Sequence, residues 1–239
     1  MPTESAEPSV PSHVLADPTR AALLGAHARF AESVGAVLRY DPEVSIFVSL
    51  PPNPGEQDWR DAAKLLGPGG RLTVGGVTAE PSPDWEKVMD LPAVQMVAEN
   101  VAAAPEPEAV RLGPEDLPEM LALIERTNPG PFLPRTIEMG TYLGIRREGG
   151  LIAMAGERLH PPGFTEISAV CTDAGFRGQG LATRLIHAVA HGIVERGETP
   201  FLHASAANVS AIRLYEALGF RLRRELTFAA YLAPVGQAD

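Results

Sequence analysis

The sequence predicts a mixed α/β protein, in which a central sheet is flanked by helices. One observation is that strand-like segments, such as 166–172 and 201–205, alternate with segments of helical apolar spacing, such as 178–196. The other is composition: of 239 residues, 45% are hydrophobic and 21% are charged, as in soluble globular domains. A fibrous or fully disordered protein is therefore excluded.

The chain is predicted to divide at residues 102–108, an Ala-, Pro- and Glu-rich segment with the composition of a linker. Residues 1–12, rich in Pro, Ser and Glu, are expected to be a disordered tail. An N-terminal mixed α/β domain is expected at 13–105 and a second domain at 106–235. A chain of this length can bury a core in each.

In the N-terminal domain, the pattern predicts helices where apolar residues recur every three or four positions, and strands in β-branched runs. The predicted helices are 18–34, 58–66 and 85–101. The predicted strands are 37–40, 44–50 and 71–77. The helix at 85–101 depends on the spacing of Val88, Met89, Val94, Val97 and Val101.

In the second domain, Pro and Gly residues separate the elements clearly. The predicted helices are 113–124, a short one at 136–139, 178–196 and 208–218. The predicted strands are 142–146, 151–158, 166–172, 201–205 and 221–232. The first two of these strands are expected to form a hairpin around residues 147–150.

Charge and cysteine content exclude several classes of function. Thirty acidic and twenty basic residues give a net charge of -10, which argues against nucleic acid as a partner because phosphate binding needs clustered Lys and Arg. An acidic balance is compatible with a cationic substrate, and it also serves solubility. The single Cys171 excludes an internal disulfide and a Cys-based zinc site, and we expect no metal. Without a signal-like start or a long apolar run, we expect a cytoplasmic protein with no membrane segment.

The densest chemical signal is the run 166–182, in which a predicted strand leads through a Gly-containing turn into a helix. Such a turn offers unpaired N–H groups at the positive end of a helix dipole, a geometry that binds phosphate. A dinucleotide-binding motif would need Gly at position 183, which is Thr, and no P-loop sequence occurs. Many α/β proteins contain this arrangement, so alone it does not identify a ligand.

Two sequence blocks together are more specific. Segment 177–182, Arg-Gly-Gln-Gly-Leu-Ala, resembles the Arg/Gln-x-x-Gly-x-Gly/Ala signature of the GNAT superfamily of N-acetyltransferases. Segment 208–220 resembles that superfamily's second block, Asn-x-x-Ala-x-x-x-Tyr-x-x-x-Gly-Phe. The resemblance covers about residues 110–232 and is nearest to the FR47-like branch.

The resemblance implies a GNAT acyl-CoA N-acyltransferase fold, whose central, mostly antiparallel sheet is splayed and flanked by helices. It leaves open whether 13–105 is a degenerate GNAT-like half. It also implies acetyl-CoA as cosubstrate, with strand main chain binding the pantetheine arm and the Gly turn binding the pyrophosphate. The residues so implied are Val170, Cys171, Thr172, Arg177, Gly178, Gln179, Gly180, Leu181, Ala182 and Asn208. Asn208 is equally suited to cap the following helix.

The resemblance further implies catalytic residues. Tyr215 falls where a family Tyr protonates the departing thiolate, and a core tyrosine is the alternative. The attacking amine must lose a proton, for which His203 and Glu166 are the two candidate bases. Strand alternation predicts that Glu166, Ser168 and Val170 share one face of their strand and that Phe201, His203 and Ser205 share one face of the next strand. Cys171 is expected to pack in the core rather than act as a nucleophile.

The implied function is direct transfer of an acetyl or short acyl group from acyl-CoA to a primary amine in a ternary complex. The alternative is a non-catalytic module that senses acyl-CoA. The acceptor, a small molecule or a peptide amine, stays open, because family acceptor pockets are built from variable loops, here 128–140 and 159–164. A homodimer also stays open.

Overall fold

The computed structural model describes residues 13–77 and 79–236. The predicted tail at 1–12 lies outside them. The helices are α1 (Pro18–Leu23), α2 (Glu56–Leu66), α3 (Leu117–Thr127), α4 (Leu181–Glu195) and α5 (Val209–Ala217). The strands are β1 (Ala31–Val34), β2 (Val37–Tyr40), β3 (Val48–Ser49), β4 (Arg71–Gly75), β5 (Glu86–Ala98), β6 (Val110–Arg111), β7 (Tyr142–Arg147), β8 (Gly150–Glu157), β9 (Phe164–Thr172), β10 (Thr199–Ser205) and β11 (Phe220–Leu232). None of the helices in this part of the chain is both long and apolar enough to cross a bilayer.

The strands form one large sheet and one small sheet. The eight-stranded sheet has the order β4-β11-β5-β10-β9-β8-β7-β6, and β1, β2 and β3 form a separate antiparallel sheet. Every neighbouring pair in the large sheet is antiparallel except β9 and β10. The prediction of a mixed α/β fold with a mostly antiparallel central sheet is therefore confirmed.

The predicted helix at 85–101 is wrong, because this segment is the strand β5. β5 pairs with β11 along nearly its whole length and with β10 over residues 93–97, so tertiary pairing outweighs the helix-like apolar spacing. Pro92 stands in its middle and would have broken a helix there. This proline is the feature of the sequence that disfavours a helix here.

The predicted helix at 18–34 is also too long. α1 ends at Leu23, and the last four residues of the prediction form β1, which pairs with β2. The predicted strand at 44–50 is reduced to β3. The hairpin of β7 and β8, the short 3-10 turn Thr136–Met139 and the elements from β9 onward lie within a few residues of their predicted bounds.

The apolar core lies on both faces of the large sheet. On one face α4 buries its helical stripe of leucines, isoleucines and valines against β7, β8, β9 and β10. On the other face α3 packs on β8 and β9. Strands from both sides of residue 105 join in this one sheet. The division into 13–105 and 106–235 remains a prediction, since a shared sheet does not decide whether either part folds alone.

Candidate active site

β9 and β10 diverge in the middle of the sheet. They pair in parallel only at their first residues, where Phe164 faces Thr199 and Glu166 faces Phe201. Beyond that point β9 continues to Thr172 beside β8, and β10 continues to Ser205 beside β5. On the side that faces β10, the main chain of 167–172 therefore borders a wedge-shaped opening rather than a paired strand. The splay that the resemblance implied is present.

A β-bulge changes which side chains of β9 share a face. Ala169 has φ +53°, and the pairing with β8 shifts register at this point. After the bulge, Val170 packs with Ile167 in the cluster around α4, whereas Cys171 packs in the cluster around α3. The prediction that Val170 shares the face of Glu166 is therefore wrong, because it assumed uninterrupted alternation.

The Gly turn at 177–182 leaves main-chain donors uncovered at the start of α4. Gly178 and Gly180 have φ +78° and +71°, and an added Cβ at either position would meet nothing within 4 Å. Gly180 is the N-cap of α4 and offers no side chain to the first helical N–H groups. Leu181 is buried in the core, so only its main chain can reach a ligand. The turn fits an anionic group that approaches the backbone.

The two residues predicted on α5 are held differently. Asn208 caps the helix, since its Oδ1 accepts hydrogen bonds from the Ala211 N–H at 3.2 Å and the Ser210 hydroxyl at 3.0 Å. Tyr215 is half-buried against the α4 cluster, with its ring edge-on to Phe220. Burial raises the pKa of Tyr215, which keeps the phenol protonated at neutral pH.

Glu166 is fully buried at the vertex of the opening. Arg158 binds it with two hydrogen bonds, from Nε to Oε2 at 2.8 Å and from a terminal nitrogen to Oε1 at 2.7 Å. Burial alone would raise the pKa of Glu166, but the Arg158 charge, together with hydrogen bonds from Arg158 and His203, outweighs burial and holds the pKa well below its usual range. Glu166 is therefore a carboxylate at neutral pH and a weak proton acceptor.

His203 lies beside Glu166, with both ring nitrogens engaged. Its Nδ1 is 2.7 Å from Glu166 Oε1, and its Nε2 is 3.0 Å from the amide nitrogen of Gln95. The Gln95 amide is oriented by two other contacts, because its nitrogen donates to the Leu15 carbonyl at 3.1 Å and its oxygen accepts from Arg223 at 2.9 Å. The Gln95 nitrogen is thus the donor, His203 Nε2 the acceptor and Nδ1–H the donor to Glu166.

This arrangement is a neutral imidazole oriented by a carboxylate, as in general-base sites. Neither Arg158 nor Gln95 was predicted as a site residue. Gln95 was assigned to a helix, and Arg158 was treated as the end of a hairpin strand. The usable signal was a polar residue in an otherwise apolar strand, Val94-Gln95-Met96, since buried polar groups are normally paired.

Cys171 is buried in the α3 cluster. Burial raises the pKa of its thiol, which disfavours the nucleophilic thiolate. Within residues 13–77 and 79–236, no group of three or more His, Cys, Asp or Glu side chains is placed to hold a metal ion.

Several known proteins resemble this chain in sequence or in fold. The sequence model of the family described as FR47-like protein matches residues 142–229. A GNAT-family protein from Novosphingobium aromaticivorans is 37% identical, with 95% of this chain and 100% of that chain covered and a TM-score of 0.84. A GCN5-related N-acetyltransferase from Kribbella flavida shares the fold at 20% identity and a TM-score of 0.58, covering 92% of this chain and 96% of that one.

A curated relative, mycothiol acetyltransferase of Mycobacteroides abscessus, is 31% identical over 133 residues. The match covers 55% of this chain and 42% of the relative. The chain therefore spans less than half the length of that protein.

Proposed function

Because the chain belongs to the GNAT family, we propose that it transfers an acetyl or short acyl group from acyl-CoA to a primary amine. The observation that carries the proposal is the opening between β9 and β10, which lies beside the uncapped start of α4. The acceptor amine attacks the thioester directly in a ternary complex. Main-chain N–H groups of β9 that border the opening stabilise the charge that develops on the thioester oxygen.

Acetyl-CoA, as cosubstrate, would be held mainly by main chain. The residues proposed to bind it are Val170, Cys171 and Thr172 for the pantetheine arm, 177–182 for the pyrophosphate and Asn208. Gly178 and Gly180 support this role, since their backbone is exposed and no protein atom fills the space beside it. Asn208 uses its Oδ1 to cap α5, so only its Nδ2 is available to the cosubstrate.

We propose His203 rather than Glu166 as the general base. The lowered pKa of Glu166 makes it a poor proton acceptor, but its negative charge stabilises the imidazolium that forms when His203 takes a proton. Glu166 therefore acts as a positioning residue through Nδ1. His203 Nε2 must first give up its hydrogen bond from Gln95, so we expect acceptor binding to displace that amide.

Tyr215 is proposed as the general acid that protonates the CoA thiolate. Tyr215→Phe removes the proton but keeps the ring against Phe220, so we expect kcat to fall by about 100-fold with little change in acetyl-CoA affinity. Turnover is measured as free thiol released with a panel of primary amines, and affinity by calorimetry. Tyr231→Phe, in the separate cluster around Trp59, is the matched control and should leave both values unchanged. Unchanged turnover in Tyr215→Phe would refute the acid role.

The same measurements separate the enzyme from an acyl-CoA-sensing module. A sensor would bind acetyl-CoA but release no thiol with any amine. The hydrogen bonds at both His203 nitrogens favour that alternative, because they leave no free base in the absence of an acceptor. If well-folded protein bound neither CoA nor acetyl-CoA, both readings would fail.

A further inference from the structure

Three separate parts of the chain meet at the Nε2 side of His203. Gln95 comes from β5 and is fully buried, Arg223 comes from β11, and the Leu15 carbonyl lies just before α1. They form a closed triangle, because Arg223 donates to the Gln95 oxygen at 2.9 Å and to the Leu15 carbonyl at 3.5 Å, and the Gln95 nitrogen donates to the same carbonyl at 3.1 Å. A reversed amide would turn its nitrogen towards a guanidinium and its oxygen towards a carbonyl, so the amide has a single satisfied orientation.

A β-bulge brings two arginines opposite Gln95. Leu222 pairs with Met96 before the shift in register and Arg224 pairs with Gln95 after it, so both Arg223 and Arg224 of β11 oppose one residue of β5. Arg223 reaches the Gln95 oxygen, whereas Arg224 donates to the Ala16 carbonyl at 2.8 Å. The bulge therefore places positive charge behind the Gln95 amide and ties this part of β11 to the N-terminal segment.

The imidazole ring of His203 is held in one orientation. The rings of Phe201 and Phe228 lie edge-on to it, at centroid distances of 5.7 and 5.3 Å, and only 5% of the His203 side chain is exposed. Nδ1 lies against a carboxylate oxygen of Glu166, and Nε2 lies against the Gln95 amide nitrogen. A proton on Nε2 would therefore point at another hydrogen-bond donor.

The charged groups around His203 act in opposite directions on a proton at the ring. They are Glu166 on β9, Arg158 just after β8, Arg223 and Arg224 on β11, and Asp17 just before α1. Glu166 attracts a proton to Nδ1, and its charge is shared with Arg158. Asp17 offsets part of the Arg224 charge, which leaves the charge of Arg223 on the Nε2 side. Charge and hydrogen bonding on this side therefore both disfavour a proton on Nε2 in the resting protein.

We propose that Gln95 is a positioning residue for acetyl transfer, which acts through His203 by keeping Nε2 unprotonated until the acceptor arrives. The proposal rests on the proposed function with His203 as the base. When the acceptor amine displaces the Gln95 amide, it meets a nitrogen with a free electron pair, and no proton has to leave His203 first. Arg223 acts one step further back, because it holds the Gln95 oxygen and thereby fixes which end of the amide faces the ring.

The direct test is the protonation state of His203 in protein labelled with ¹⁵N-histidine, because protonated and unprotonated ring nitrogens have well-separated chemical shifts. The His203 signals are assigned by their loss in His203→Asn. We expect the native protein at pH 7 to carry a proton on Nδ1 and none on Nε2. Gln95→Glu replaces the donor by an acceptor of the same shape beside Arg223, so Nε2 should become protonated.

The second test is the pH dependence of kcat/KM, measured as thiol release from acetyl-CoA with L-alaninamide, benzylamine or spermidine. In Gln95→Glu the imidazolium gains a hydrogen bond, so we expect the acidic limb of the profile to move to higher pH by about one unit. On that limb kcat/KM should fall about tenfold, and above it the native value should return. Gln57→Glu, the same substitution on the exposed side of α2, is the matched control and should leave the profile unchanged. A purely structural Gln95 would lower the Tm without moving the profile or the His203 signals, and that result would overturn the proposal.

Two variants of Arg223 keep the proposal testable even if Gln95→Glu does not fold. Arg223→Met removes the donor that holds the Gln95 oxygen, so the amide can reverse, and the limb should move in the same direction. Arg223→Lys keeps a donor and should retain the native profile and signals. A proton on Nε2 in the native protein, or native signals in folded Arg223→Met, would overturn the proposal. The expected signals without thiol release from any amine would refute the proposed transfer, and with it the catalytic role of Gln95, while the hydrogen-bond assignment would stand.

Discussion

The two ends of the β9–β10 pair differ in whether their polar groups have hydrogen-bond partners within the protein. At the paired end, Glu166 and Arg158 are buried together, and His203 is hydrogen-bonded on both sides. At the open end, residues 177–180 are exposed, and the first N–H groups of α4 have no capping side chain. The paired end is thus satisfied within the protein, whereas the open end leaves main-chain donors for a ligand.

The two ends therefore depend on the sequence in different ways. The open end depends on backbone conformation, which a short local sequence can specify with two glycines. The paired end depends on groups brought together from distant parts of the chain, which are the Leu15 carbonyl and the side chains of Gln95, Arg158 and His203. A local change should therefore damage the open end by altering ligand binding and the paired end by altering stability.

The largest effect is expected at the paired end. Glu166→Gln keeps the shape but leaves the Arg158 guanidinium, whose side chain is only 10% exposed, without its counter-charge. Removing one partner of a buried pair lowers the free energy of unfolding by about 3–5 kcal/mol. Urea unfolding measures this. The control, Glu56→Gln, removes an exposed partner of Arg60 and should change stability by about 0.5 kcal/mol or less.

The pH dependence of the free energy of unfolding provides a second test of the same ion pair. The folded protein holds the pKa of Glu166 below its ordinary value, so the carboxylate contributes stability above the unfolded pKa of about 4.3 and loses it as pH falls. The native protein should therefore lose stability on acidification more steeply than Glu166→Gln. Parallel curves for the two proteins below pH 5 would contradict the buried ion pair.

An intermediate effect is expected at the open end. Gly180→Ala forces an alanine to φ +71°, which costs about 1–2 kcal/mol, and projects a methyl group into the space beside the N–H donors. We expect acetyl-CoA affinity to fall about tenfold, a loss of about 1.4 kcal/mol by calorimetry. Gly192→Ala, inside α4 at an ordinary helical conformation, should instead stabilise the protein by about 0.5–1 kcal/mol and leave affinity unchanged. Equal acetyl-CoA affinities for the two variants would contradict the proposal that the turn binds the cosubstrate.

The contrast also explains what the sequence could predict. Blocks 177–182 and 208–220 predicted the Gly turn, the uncapped helix and the Asn208 cap, because each depends on neighbours in the sequence. The face of Val170 was mispredicted because the strand has a bulge at Ala169. This residue has a positive φ although it is not a glycine, so no local sequence pattern indicates the bulge. Strand β5 was mispredicted because its identity depends on partners more than a hundred residues away in β10 and β11.

The environment of His203 could not be predicted for the same reason. The sequence nominated His203 and Glu166 separately, as competing bases. In the structure they form one hydrogen-bonded pair, and the Nε2 partner comes from β5, the element assigned wrongly. With Gln95 predicted to lie in a helix, its hydrogen bond to His203 could not be predicted from the spacing of residues.

The smallest effect is expected at Cys171, which belongs to β9 beyond the point of divergence but faces away from the α4 cluster. Its side chain is 6% exposed and packs in the cluster around α3, so Cys171→Ala should lower the free energy of unfolding by about 1 kcal/mol. Acetyl transfer should be retained, because the residue is proposed to serve through its main chain only. Loss of turnover with an unchanged fold would mean that the sulfur takes part in the chemistry, and the open end would then no longer be a purely main-chain site.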